Sequence, residues 1–199
     1  GNITELYQFR PDSIVKKMEL KSKQTVFSPD GDFILSGENT GSINVYDSRN
    51  FSLKISLKEH QKEITKIEFS PDGKKMLCCA RDGMSTVWEF PSFKKMRTLS
   101  TNYFDYELAD LSPDGKLFAC KAKGAANDRV MILDIQSATV LQSIMAPAAR
   151  MTFTGANRLL LILKDRIQVW NPLTGVLETE IVQSTENRGS LYRYKVNEE

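Results

Sequence analysis

The chain has 199 residues, 41% of them hydrophobic and 26% charged, with a formal net charge of +2 at pH 7. That is the composition of a soluble globular protein with core enough for one compact domain or two small ones. The small charge gives no nucleic-acid or membrane footprint by itself, and the longest apolar run, residues 159–163, is far short of a membrane span.

No signal-peptide pattern stands at the N-terminus, and a start at Gly1 rather than Met is expected of an excerpt or a processed form. Cys78, Cys79 and Cys120 lie in apolar runs away from any ligand cluster. An odd count without framework spacing predicts reduced, packed thiols in a cytoplasmic or nuclear protein, with no metal site.

In chain order, "ITELYQF", "RPD" and "SIVKKMEL" over residues 3–20 read as two strands joined by a turn. "FSPDG" then stands at Phe27 to Gly31 and again at Phe69 to Gly73, and "LSPDG" at Leu111 to Gly115, so the interval is 69 − 27 = 111 − 69 = 42 residues. One more step reaches Phe153 in "FTGAN". A fixed period of this size marks a repeat architecture.

Each copy carries four strand-length runs. They lie at 25–28, 33–36, 42–47 and 53–57, then at 64–69, 76–80, 86–90 and 96–99. The third copy gives 106–112, 117–121, 129–135 and 140–144, and the fourth 149–154, 159–163, 166–170 and 176–182. Ser-Pro-Asp-Gly is turn chemistry, with Pro fixing φ, Asp bonding the local backbone and Gly taking the strained position. Runs such as "MLCCA" are apolar throughout, as strands buried on both faces are. Such a four-stranded meander cannot bury both faces alone, so copies must stack.

The third strands end in "VYD", "VWE", "ILD" and "VWN". With the period and the turn phrase, these ends resemble the WD-repeat β-propeller family from Thr25 to about Val182. The resemblance implies an all-β propeller fold of about four complete four-stranded antiparallel blades. The organisation expected is a partial blade at 3–20, blades at 24–57, 63–99, 106–144 and 148–183, and a tail or closing strand at 184–199. Residues 3–20 would be the third and fourth strands of an earlier blade, pairing in one arrangement with 190–196. Four blades and two partial ones are fewer than the family's usual seven or eight. An incomplete or excerpted propeller, completed by other blades or a partner chain, is therefore expected.

The family's buried tetrad of His, hydroxyl, Asp and Trp is offered by the second copy as His60, Asp82 and Trp88, with Cys79 near the position of the hydroxyl. His60 is the chain's single histidine, so no other copy has the full set. We read the trio as a structural remnant, since a buried imidazole needs partners for its ring nitrogens and Asp82 supplies one.

Nothing in the sequence calls for catalysis or a cofactor. There is no nucleophile elbow or phosphate loop, and Asp30, Asp72 and Asp114 recur at turn positions where backbone bonding explains them. Recognition remains. The loops between strands two and three, and between strand four and the next copy, should share a rim. Its candidate partner-binding residues are Glu38, Asn39, Arg81, Tyr103, Phe104 and Arg150, aromatic and arginine side chains being common interface anchors. Other protein subunits or peptide segments are the expected partners, with no membrane insertion. The alternative is an RNA-associated subunit using lysine pairs such as Lys16–Lys17, Lys74–Lys75 and Lys94–Lys95. Solvated hairpin tips explain those pairs more simply.

Overall fold

The computed structural model describes residues 3–22, 24–100, 104–122, 128–183 and 192–196; for 10, 104–107, 122, 183 and 192–196 only the backbone is considered. The chain divides into two compact units, residues 1–69 with 73–102, and residues 70–72 with 103–199. Both are built of antiparallel β-sheet, and no helix occurs among the described residues.

In the first unit, β1 (Thr4–Arg10) and β2 (Ser13–Leu20) form a hairpin. Two four-stranded sheets follow. One contains β3 (Gln24–Phe27), β4 (Phe33–Gly37), β5 (Ser42–Asp47) and β6 (Leu53–Lys58). The other contains β7 (Ile64–Phe69), β8 (Lys75–Ala80), β9 (Met84–Glu89) and β10 (Lys94–Ser100).

In the second unit, β11 (Phe104–Leu111), β12 (Leu117–Ala122), β13 (Arg129–Asp134) and β14 (Thr139–Met145) make the third sheet. The fourth has five strands: β15 (Arg150–Phe153), β16 (Leu159–Ile162), β17 (Arg166–Trp170), β18 (Leu177–Gln183) and β19 (Tyr192–Val196). In every sheet, strands pair in chain order.

The repeated phrase is a turn with a fixed wiring. The Ser28, Ser70 and Ser112 hydroxyls donate to Asp30, Asp72 and Asp114 at 2.5, 2.6 and 2.6 Å. The turn closes by Ser28 N–H to the Phe33 carbonyl at 2.9 Å, and by Ser112 N–H to Leu117 at 3.0 Å. Gly31, Gly73 and Gly115 take φ of 75, 68 and 62°, where a side chain is strained.

The fourth copy departs from this by one residue. Thr154 N–H reaches the Arg158 carbonyl at 2.8 Å, one residue sooner than Ser112 reaches Leu117. Asn157, at φ 57°, takes the left-handed position that glycine takes elsewhere. Side chains alternate along a strand, so losing one residue reverses which face each residue of β16 occupies. Leu159 and Leu161 therefore point back toward the third sheet and are fully buried against Ala119, Val130 and Ile132.

Each unit has its own core. In the first, Leu35, Ile43, Val45 and Leu57 meet Ile64, Ile67, Met76, Cys78 and Trp88 of the next sheet. Leu6 and Leu20 of the hairpin cover Ile34. Full burial of an aliphatic side chain contributes about 1.5–3 kcal/mol, so these facing layers dominate the gain that holds neighbouring sheets together.

Strand β19 falls in the segment expected as a further strand. It pairs with β18, Ile181 opposite Tyr194. The outer edge of β18 offers unpaired backbone groups, and an added strand satisfies them.

Candidate interaction rim

The loops of the first unit converge around His60. Its Nδ1 lies 3.1 Å from Asp82 Oδ2, and its Nε2 lies 2.9 Å from Thr86 Oγ1. Trp88 Nε1 donates to the same Oγ1 at 3.0 Å. Indole N–H only donates and a hydroxyl has one proton, which sets every direction in the chain. Trp88 donates to Thr86, Thr86 to His60 Nε2, and His60 Nδ1–H to Asp82.

Asp82 also accepts the Gln61 N–H at 2.9 Å and the Met84 N–H at 3.0 Å. Burial lowers the His60 pKa and outweighs the opposing pull of Asp82. The wiring agrees with that direction, because a protonated Nε2 would leave the Thr86 proton without its acceptor. The hydroxyl expected near Cys79 in the second strand thus comes from Thr86 in the third. Cys79 is itself buried, and burial pushes its thiol up to about 12.

Thr86 stands two residues before Trp88, hence on the same face of β9. The same spacing recurs. Gln168 Oε1 accepts the Trp170 indole N–H at 3.1 Å, while Gln168 Nε2 donates to Glu180 at 2.7 Å. Asn44, two residues before Tyr46, donates to Glu38 Oε1 at 3.3 Å, which also accepts the Ser36 hydroxyl at 2.9 Å. In three copies a polar residue two positions ahead of the third-strand aromatic anchors a network. Position 131 holds Met, and there the pattern lapses.

These networks fix the backbone of the loops above them. Glu38 carbonyl accepts the N–H groups of Gly41 and Ile64 at 3.2 and 3.1 Å. Gly41, at φ 88°, lies so close to His60 that an added Cβ would meet the His60 carbonyl oxygen at 2.2 Å. Arg81 N–H donates to the Glu63 carbonyl at 2.9 Å, and its Nε pairs with Glu63 Oε2 at 2.7 Å.

The first-unit rim therefore brings together Glu38, Asn39, His60–Glu63, Arg81 and Asp82. Asn39, Gln61, Lys62 and Arg81 remain exposed on it. In the second unit Arg150 is exposed at the start of β15, and Lys164 and Asp165 form the turn into β17. Tyr103 lies outside the described residues, as does the side chain of Phe104.

Two lysines of the sequence pairs are engaged by carboxylates. Lys16 is held by Glu5 and by Glu19 at 2.8 Å, and Lys95 by Glu59 at 2.6 Å. Among the described residues no cluster of three or more His, Cys, Asp or Glu could hold a metal ion.

The family model described as "WD domain, G-beta repeat" matches residues 20–47 and 51–89. Those two stretches match WD repeats. The second match runs from just before β6 through β7, β8 and β9, and includes His60, Asp82 and Trp88. A WD repeat in this chain thus joins the outer strand of one sheet to three strands of the next, which ties neighbouring sheets together covalently.

The fold is similar to the solved β-propeller domain of Cps50 (Swd1) from Myceliophteria thermophila, with a TM-score of 0.59 at 16% identity over 76% of this chain. The chain spans about half of that structure, 48% of its length. No curated protein matches.

Proposed function

We propose that the chain is a non-catalytic scaffold that binds protein segments through the first-unit rim. One observation carries the reading. Exposed Asn39, Gln61, Lys62 and Arg81 sit on loops whose backbones are held by Glu38, Asp82 and Glu63. A surface of polar groups on a rigid frame loses little entropy on binding and is suited to recognition. The turn aspartates are engaged with their own serines, as expected of structural rather than catalytic carboxylates. The buried thiols Cys78, Cys79 and Cys120, none of them in a disulfide, support a reducing compartment, cytoplasm or nucleus.

Affinity capture of partners with the chain and with its Lys62→Glu/Arg81→Ala variant, which keeps the Arg81 N–H bond to the Glu63 carbonyl, tests the proposal. Both side chains are exposed, so the variant should fold normally and lose the protein partners that the parent retains. Retention of every partner by a folded double variant would overturn the assignment. So would recovery of RNA alone with affinity falling steeply in salt, the signature of phosphate contacts.

A further inference from the structure

The fourth strand of each large sheet has an outer edge of backbone groups that its own neighbour does not use, a template on which another strand can add. The chain treats these edges differently. Among the described residues, β18 has its edge covered by β19. Strand β6 carries Lys54 and Lys58, and β10 carries Lys94, Lys95 and Arg97, charges of the kind that discourage edge-to-edge pairing. Strand β14, with the sequence TVLQSIM, closes the third sheet and has no ionisable side chain.

That edge is also apolar. Leu141 is 38% and Met145 59% exposed, and alternation puts both on one face with exposed Ser143, while Ile144 is buried on the other. The backbone geometry follows from one hydrogen bond. Ala146 N–H donates to the Asp128 carbonyl at 3.0 Å, and the register continues with Arg129 opposite Met145, Val130 opposite Ile144 and Met131 opposite Ser143. Hydrogen-bonded and open pairs alternate along an antiparallel ladder. Residues 146 and 144 are therefore bonded to β13, and the N–H and C=O groups of Ser143 and Met145 point outward.

We propose that the outer edge of β14 is a homodimer interface, and that its occupant is the same strand of a second copy, antiparallel about a two-fold axis through Ser143. The edge is its own complement. In that register Ser143 meets Ser143 and the two exchange their backbone hydrogen bonds, while Leu141 of each copy lies opposite Met145 of the other, giving apolar cross-strand pairs on both sides of the axis. A two-fold contact uses the same patch on both subunits. Strand β6 joined in this way about Ser56 would set Lys54 against Lys58, and like charges directly opposite are destabilising. Arg129, which donates to Ser143 Oγ at 3.2 Å, lies one strand further in. A single strand pair covers less than a standard interface of about 1,600 Å², so the dimer is weak and depends on concentration. The inference does not depend on the rim reading.

Sedimentation equilibrium of the 199-residue chain should show monomer and dimer in exchange. Ser143→Lys and Ser143→Glu each put like charges on the axis at an exposed position, so both variants should melt as the parent does and lose the dimer. Mixed in equal amounts, they should recover it as a heterodimer. A parent that stays monomeric at its highest soluble concentration would overturn the proposal. So would a Ser143→Lys variant that dimerises like the parent, or two monomeric variants that fail to pair on mixing. Ser143→Cys reads the occupant directly, since Cys78, Cys79 and Cys120 are buried. Bonded opposite residues have Cα atoms about 5.5 Å apart, within the disulfide range of about 4.4–6.8 Å. Mild oxidation should link two copies through position 143; in cell extract, a bridge to a different protein in place of a second copy refutes the proposal.

Discussion

Replacing Thr86 by Val keeps the volume and removes the hydroxyl that His60 Nε2 and Trp88 Nε1 both use. Each buried group left unpaired costs about 1–3 kcal/mol, so Thr86→Val should destabilise by about 2–4 kcal/mol in urea unfolding. A loss below about 0.5 kcal/mol, the range of an ordinary surface change, would mean that the chain of hydrogen bonds contributes nothing. The same site should give a pH dependence with a definite sign. Burial lowers the folded pKa of His60 below its ordinary 6.5, so the unfolded chain takes up a proton first as pH falls. Stability from this group is fully present above about 6.5 and is lost as pH falls from there through the folded value. Because His60 is the only histidine, a His60→Gln variant should lack that slope, and an unchanged slope would refute the assignment. His60, Asp82 and Trp88 were legible from the sequence as a cluster. Thr86 was not, because the hydroxyl was sought in the second strand, whereas the spacing of two residues to Trp88 already placed it on the same face of the third.

At the scale of elements, turn geometry does the positioning. Gly31 and Gly41 both have positive φ, but a Cβ on Gly31 meets nothing within 4 Å, while one on Gly41 would lie 2.2 Å from the His60 carbonyl oxygen. Gly31→Ala should therefore cost only the backbone strain, about 1 kcal/mol, and Gly41→Ala clearly more, since the loop carrying His60 must move as well. Equal effects in parallel thermal melts would contradict the close approach. The buried strands make a second prediction. Burial raises the thiol pKa values of Cys78 and Cys79, the latter to about 12, and thiolate is the reactive form. Both should resist a neutral thiol reagent until the sheet opens, so that labelling follows unfolding; immediate labelling at pH 7 would place them outside the core. The turns of the first three copies were legible in Ser-Pro-Asp-Gly. The fourth was harder, because a step of 42 residues still lands on Phe153 while the turn after it is one residue shorter. In an apolar run such as residues 159–163 neither face is marked by polar alternation, so composition could not show which leucines face the third sheet.

For the whole molecule, the period was enough to give all-β meanders, since a repeat unit that cannot bury both faces must stack on its neighbours. A further strand within 190–196 was legible, but not its partner, because β19 adds to the edge of β18 through backbone bonds that carry little sequence signal. The similarity to the Cps50 (Swd1) propeller domain extends the same picture to the fold. The central claim is that one four-stranded sheet unit with buried inner strands recurs along the chain and holds the rim loops rigid. Amide hydrogen exchange resolved to single residues tests it most directly. Slowest exchange should recur in β4, β5, β8, β9, β12 and β13, with the Ser-Pro-Asp-Gly turns exchanging early and two amides that donate to Asp82 also protected, that of Gln61 in a loop and that of Met84 at the first position of β9. Protection that fails to recur from sheet to sheet, or rapid exchange at Gln61 and Met84, would contradict the account.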